Sequence, residues 1–282
     1  MKIGISGASG HLGQSTLKKL AARGGGHELV GISRTPQAIA APLQGRFGDY
    51  DEPSSLVAAY AGLDRLLLIP TISLVPGVRS RQNIAAIDAA VAAGVGHIVV
   101  LSSCGARDIA EPDLYAPYFA AEQHLMRTAP RWSILRMNYF AEALAEEALG
   151  SLGHGLLACF TENRVAYVAR DDVAASAAGL LTTDGHIGAT YNLTGPAALT
   201  GEQRAAIIAK ASGAGMGFLP MTEEAMRAAL QVLGTPPDIA RAVICLHHGM
   251  ASGMFDIVTG DVQKLSGKAP RTLQQVLRQA FA

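Results

Sequence analysis

The 282-residue sequence predicts an α/β protein built on a doubly wound parallel sheet, with a smaller, mainly helical lobe toward its C-terminal end. Three observations carry that expectation. Short apolar runs alternate with helical patterns through the first half of the chain. Several of those runs, such as residues 64–69 and 97–102, are apolar nearly throughout rather than at alternate positions, as strands covered by helices on both faces must be. Glycines spaced G-x-x-G-x-x-G (Gly7, Gly10, Gly13) separate the first apolar run from the first helical pattern.

Taken in order, residues 2–6 read as the first strand and 15–23 as a helix closed by Gly24, Gly25 and Gly26. Residues 28–33 are the second strand. A proline-containing segment with the character of a short helix follows, and residues 46–48 lead into Asp49 and Tyr50. Residues 53–61 are helical, 64–69 a strand, 79–93 a helix ended by Gly94, 97–102 a strand, 114–128 a helix and 132–136 a strand. Strands alternating with helices imply right-handed crossovers and a parallel sheet. After about residue 150 the pattern changes: a turn-rich stretch with Gly150, Gly153 and Gly155, a helix over 171–181, a short strand at 191–193, then helices over 200–211, 223–233, 238–246 and 273–281. The expected division is 1–150 for a nucleotide-binding domain and 151–282 for a smaller substrate lobe that partly returns to the main sheet.

Composition excludes several function classes. Basic and acidic residues number 23 each, so the net charge is zero, and no basic tract interleaved with aromatics suggests nucleic acid. No apolar stretch is long enough to span a bilayer, and the first apolar run is too short for a signal peptide. Cys104, Cys159 and Cys245 are odd in number and scattered, which fits reduced thiols in a cytoplasmic protein better than a disulfide framework or a zinc site. His247-His248 has no acidic residue or cysteine at a ligand spacing, so no metal is expected.

The glycine loop points to a dinucleotide. A strand that turns sharply into a helix needs residues without a Cβ, both for positive φ and for close backbone approach, and the free N–H groups at the helix start attract a pyrophosphate. Ser9, His11 and Leu12 lie within that loop. In a doubly wound sheet the ligand sits beyond the carboxyl ends of the strands. That rule gathers Arg34, Asp49, Tyr50, Pro70, Thr71, Ser102, Ser103, Met137, Asn138, Tyr139 and Phe140 into one ring of loops. An acidic residue about 20 positions past the glycines binds the ribose hydroxyl in NAD sites. Glu28 has roughly that spacing but stands at the wrong end of its strand. Arg34 stands at the right end, and a guanidinium pairs with a 2′-phosphate, so the expected cofactor is NADPH.

With these residues placed, the chain resembles the NmrA-like atypical short-chain dehydrogenases, in particular their quinone-reductase and triphenylmethane-dye-reductase branch. The resemblance runs almost end to end, through Ala93-Gly94-Val95-Gly96-His97-Ile98, Leu135-Arg136-Met137-Asn138-Tyr139, Ala169-Arg170-Asp171-Asp172-Val173-Ala174 and Tyr191-Asn192-Leu193-Thr194-Gly195. It implies an NAD(P)-binding Rossmann fold and commonly a homodimer. It implies that Ile69, Pro70 and Thr71 cover the cofactor and that Asp49 and Tyr50 lie near the adenine. Met137, Asn138, Tyr139 and Phe140 would border the nicotinamide, and Arg170 would reach the cofactor region or remain a surface arginine.

One departure from ordinary short-chain dehydrogenases matters for chemistry. They carry Tyr-x-x-x-Lys, where the lysine lowers the tyrosine pKa for proton transfer. Here Tyr118 is followed four residues later by Glu122, which cannot supply that charge. Tyr118 is therefore read as helix packing, and Glu122 as either a surface residue or part of the nicotinamide pocket. Ser102 and Ser103 either contact ligand or cap a turn. Tyr139 and Phe140 either offer an aromatic platform to a flat substrate or pack the core. The expected activity is hydride transfer from NADPH to a quinone or similar flat, electron-poor acceptor, with Ser103, Tyr139 and Phe140 on its side of the site. The alternative is a redox-sensing NADP(H)-binding regulator without turnover.

Overall fold

The computed structural model describes residues 1–282. Seven strands form one sheet: β1 (Lys2–Ser6), β2 (Glu28–Ser33), β3 (Gln44–Phe47), β4 (Arg65–Leu68), β5 (His97–Ser103), β6 (Trp132–Met137) and β8 (Ala189–Leu193), in the order β3-β2-β1-β4-β5-β6-β8. Every neighbouring pair is parallel, with Ile3 opposite Leu29 and Arg65, and Ser102 opposite Arg136. The chain builds outward from β1 to β3, then crosses back to place β4 on the other side of β1. This reversal opens a crevice at the carboxyl ends of β1 and β4.

Successive side chains of a strand point to opposite faces, and the two faces have separate cores. Ile5, Leu67, Leu101 and Leu135 pack with α1 (His11–Arg23), α6 (Arg170–Thr182) and α10 (Asp261–Ser266). Val30, Leu66, Val100 and Ile134 pack with α2 (Pro53–Tyr60), α3 (Val78–Ala92) and α4 (Ala116–Thr128). Residues beyond 150 thus contribute a strand and two helices to the main sheet.

The rest of the chain forms a second body of packed elements. It comprises α5 (Ala141–Ser151), α7 (Gly201–Ser212), α8 (Glu223–Val232), α9 (Pro237–Ala251), α11 (Leu273–Ala280) and a parallel two-stranded sheet, β7 (Leu156–Phe160) with β9 (Gly217–Met221). Tyr115, Tyr167, Ile208, Phe255 and Leu277 centre its core. Both α7 and α11 begin with a capping box, Thr200 with Gln203 and Thr272 with Gln275, which satisfies otherwise orphan N–H groups of the first turn.

Several element bounds differ from the sequence reading for identifiable reasons. Helix α1 starts at His11 rather than four residues later, because Gly13 is tolerated inside it where the helix lies against the loop. Strand β3 is an exposed edge strand of sequence QGRF, without an apolar signal. Strands β7 and β9 and helices α5 and α10 were not expected, and α9 runs to Ala251.

Two buried histidines tie acid stability to the fold. His97 on β5 shares a 2.9 Å hydrogen bond between its Nε2 and Ser133 Oγ, and burial pushes its pKa down to about 4. His247 on α9 is likewise held down to about 4 by burial. Both rings are neutral in the folded state where an unfolded chain, with an ordinary histidine value of 6.5, takes up a proton. Their contribution is intact above pH about 6.5 and is lost as the pH falls toward 4. Urea denaturation at stepped pH is expected to show stability declining through that window, with part of the decline removed in His247→Gln; a fall confined to lower pH would contradict the assignment.

Candidate active site

The glycine loop is shaped by contacts that only glycine allows. Gly7 has φ +86°, in the left-handed region, and donates its N–H to Ile32 O at 3.0 Å, binding the loop to β2. A Cβ on Gly13 would lie 2.4 Å from Gly7 O and 2.7 Å from Ala8 Cα, so the helix can approach the loop only without one. Gly10 differs: a Cβ there would meet nothing nearer than Gly7 O at 3.5 Å. The open space above Gly10 is the cradle expected for a ligand that comes close to the backbone. No side chain caps the start of α1 and no acidic residue stands in its first turn, so its free N–H groups and positive dipole end favour a phosphate.

From this loop a cleft of about 1040 Å³ runs along the carboxyl edge of the sheet. At one end stand Ser33, Arg34, Asp49 and Tyr50; at the other, Leu101, Tyr118, Met137, Phe140 and Arg170. Ile69, Pro70 and Thr71 lie between them. Arg34 is exposed at the end of β2, with its guanidinium bonded to no other residue. Tyr50 donates from its hydroxyl to Ile69 O at 2.9 Å and so ties the loop after β3 to the loop after β4. Thr71 Oγ1 donates to Gln82 Oε1 at 2.6 Å, and Gln82 Nε2 donates to Asp51 Oδ1 at 2.8 Å, which fixes the middle of the wall. The guanidinium of Arg170 lies 5.3 Å from the centre of the Phe140 ring.

Of the residues expected at the site, Gly7, Ser9, Gly10, His11, Leu12, Gly13, Arg34, Asp49, Tyr50, Ile69, Pro70, Thr71, Met137, Phe140 and Arg170 line this cleft. Five others do not, and strand alternation accounts for one of them, Ser102. Leu101 on β5 and Met137 on β6 line the cleft, so the adjacent positions Ser102 and Arg136 face α4. There Glu122, wholly buried, receives Ser102 Oγ at 2.5 Å and a two-pronged guanidinium contact from Arg136, Nε at 2.8 Å and Nη2 at 2.5 Å. Glu122 is one helical turn deeper than Tyr118, away from the surface, and does not line the cleft. Ser103 accepts the N–H of Gly105 at 3.1 Å and caps its turn. Asn138 is a backbone clamp, accepting from Tyr139 N–H and donating to Phe255 O at 3.1 Å. The ring of Tyr139 packs beside Tyr167 and Phe255, with centroids 5.7 and 6.4 Å away, so it offers no platform to the cleft.

The sequence reading also missed wall residues. Tyr118, read as packing, is on the cleft, as are Ser33, Ile72, Val78, Gln82 and Leu101. Gln82 and Val78 begin the helix after β4, a position the strand-end rule does not reach.

A glycine cradle at a helix start, an arginine past the second strand and an apolar far end define a dinucleotide-dependent redox protein. Residues 7–184 match the NAD(P)H-binding family, and the chain belongs to it. It is 30% identical over 284 residues to quinone oxidoreductase 2 of Escherichia coli K12, covering 99% of this chain and 98% of that protein. It is 28% identical to an NAD(P)H azoreductase of Xenophilus azovorans, covering 83% and 81%. Among solved structures, the Escherichia coli quinone oxidoreductase in complex with NADPH superposes with a TM-score of 0.91 at 28% identity, covering 99% and 100% of the two chains. Citrobacter sp. triphenylmethane reductase in complex with NADP(H) gives 0.89 at 26% identity, covering 99% and 100%. The resemblance read from the sequence motifs is thus borne out, and the chain is an NAD(P)H-dependent oxidoreductase.

Removing the acid from the Glu122 cluster leaves Arg136 without its counter-charge in a mostly buried place. Glu122→Ala is expected to lower unfolding stability by about 3 kcal/mol. NADPH affinity, measured by fluorescence titration on the folded variant, is expected to stay within about twofold. A selective loss of affinity at unchanged stability would return Glu122 to the ligand site.

Proposed function

We propose that this chain is an NADPH-dependent reductase that passes a hydride to a quinone or a similar flat, electron-poor acceptor, without a Tyr-x-x-x-Lys relay. The observation that carries the reading is the unbroken cleft from the glycine cradle, past the free guanidinium of Arg34, to the apolar end at Leu101, Met137 and Phe140. The full-length similarity to quinone and dye reductases supports the same class of acceptor.

Bound NADPH supplies the hydride. The N–H groups at the start of α1, around Gly10, His11 and Leu12, hold the pyrophosphate. Arg34 pairs with the 2′-phosphate, an interaction that a 2′-hydroxyl cannot match. Asp49 and Tyr50 border the adenine, and Ile69, Pro70 and Thr71 cover the middle of the cofactor. Leu101, Met137 and Phe140 give the reacting end a largely dry wall that orients a flat acceptor. Arg170, steadied against Phe140 and with its backbone N–H bonded to both carboxylate oxygens of Glu142 at 3.0 Å, closes the cofactor side.

Oxidation of NADPH by a panel of quinones, followed by loss of the reduced-nicotinamide absorbance, tests the reading. Acceptor-dependent oxidation is expected; tight NADPH binding with no oxidation by any acceptor would instead identify a sensor. In Arg34→Ala, loss of charge-assisted hydrogen bonds worth about 1.5–3 kcal/mol predicts roughly 10- to 100-fold weaker NADPH binding and little change for NADH. Equal losses for both cofactors would remove Arg34 from the 2′-phosphate.

A further inference from the structure

At the apolar end of the cleft the exposed carboxylate of Glu146 on α5 and the phenol of Tyr118 stand unpaired. Tyr118, in the first turn of α4, lines the wall, and its hydroxyl is bonded to no protein group. Unlike that of neighbouring Tyr115, it is not sealed off from the cleft. Over its ring, 5.5 Å from the centroid, lies the guanidinium of Arg79 from α3.

Arg79 is unusual in its own right. It is only 5% exposed, yet no carboxylate pairs with it. Its Nη2 donates to Ser73 O at 3.0 Å and its Nη1 to Leu114 O at 3.3 Å, while its Nε is buried without a partner. Of the acidic groups lining the cavity beside Arg79, Asp238 pairs with neither Arg79 nor any other residue, and the other two are engaged elsewhere. Glu111 receives the Gly77 N–H and the Ser80 hydroxyl. Asp113 receives Arg107 at 2.7 Å, the Tyr115 N–H at 2.7 Å and the Ala116 N–H at 3.2 Å. Burying a cation without a counter-ion is costly. The arrangement is economical if negative charge develops beside Arg79 during turnover. Burial raises the Tyr118 pKa, and Arg79 is the group that opposes this rise, so the phenol is protonated at neutral pH with a cation ready to stabilise its anion. Glu122, four residues along, is turned away into its contact with Arg136 and does not offset that cation.

We propose that Tyr118 is the proton donor to the reduced acceptor, with Arg79 as the positioning cation that stabilises the negative charge. This rests on the quinone-reductase reading. Hydride addition converts a quinone to its hydroquinone monoanion. The Tyr118 O–H bond then breaks, its proton forms the second O–H bond of the hydroquinone, and the tyrosinate, held beside Arg79, regains a proton from water. The sum is quinone plus NADPH plus one proton giving hydroquinone plus NADP⁺. A lysine four residues on in the same helix is replaced here by an arginine reaching over from a different helix.

Acceptor chemistry provides the test. A cationic triphenylmethane dye becomes neutral on accepting hydride and needs no proton, whereas a quinone does. In Tyr118→Phe, which keeps the ring packed under Arg79, the ratio of kcat on quinone to kcat on dye is expected to fall at least tenfold. A second readout uses cofactor-free protein. Binding of 4-nitrophenolate, a mimic of the hydroquinone anion, followed by its absorbance, is expected to weaken about tenfold in Tyr118→Phe. It is also expected to weaken in Arg79→Gln and to recover largely in Arg79→Lys. An unchanged quinone-to-dye ratio, or nitrophenolate affinity indifferent to the hydroxyl and to the charge at position 79, would overturn the proposal while leaving a quinone-active enzyme in place. A wild-type protein that reduces dye but no quinone would overturn the quinone acceptor on which the proposal rests, and one that reduces neither would overturn the underlying reading.

Discussion

The parallel alignment of all seven strands is the constraint on which the rest depends. A parallel sheet needs a crossover after every strand, and these crossovers cover both faces with helices. Nothing functional can then reach the faces, and the strand-end loops at the carboxyl edge become the place where residues from distant parts of the sequence meet. The reversal between β1 and β4 parts two of those loops, and the cleft opens there. The glycine loop supplies the rest of the geometry: its close packing under α1 directs free N–H groups at the same opening.

Positive charge is distributed unevenly along and behind the cleft wall. Arg34 is free and exposed where a phosphate would lie, since an anion from outside can displace its water. Behind the cleft wall, two guanidiniums meet opposite fates. Arg136 is fully answered by Glu122, and that pair holds α4 against β5 and β6. Arg79 is answered only by two carbonyls and the face of Tyr118. The first arrangement is architectural. The second leaves a cation without a carboxylate against the ring of Tyr118, a residue of the cleft wall.

Much of the main sheet was legible in the sequence because its strands are continuous apolar runs, and β1 and β2 were placed to the residue. The glycine loop and Arg34 were legible because they obey rules of position along a strand–loop–helix unit. What escaped depends on side-chain direction and on partners distant in sequence. Glu122 and Tyr118 share a helix face, yet one turn of helix separates a buried ion pair from a cleft wall. Tyr139 neighbours the cleft in sequence but turns to Tyr167 and Phe255, which the linear order gives no reason to join. Strand β9, with a proline in GFLPM, pairs only with β7 and lacks the alternation that would announce it.

The central claim is that one cleft orders the whole cofactor, from the 2′-phosphate at Arg34 to the reacting ring at the apolar end. A crystal structure of the protein with NADPH tests this most directly. The account predicts the 2′-phosphate on the Arg34 guanidinium, the pyrophosphate over Gly10 at the start of α1, and the nicotinamide between Leu101, Met137 and Tyr118. A cofactor whose 2′-phosphate lies away from Arg34, or whose nicotinamide leaves that end of the cleft, would contradict it.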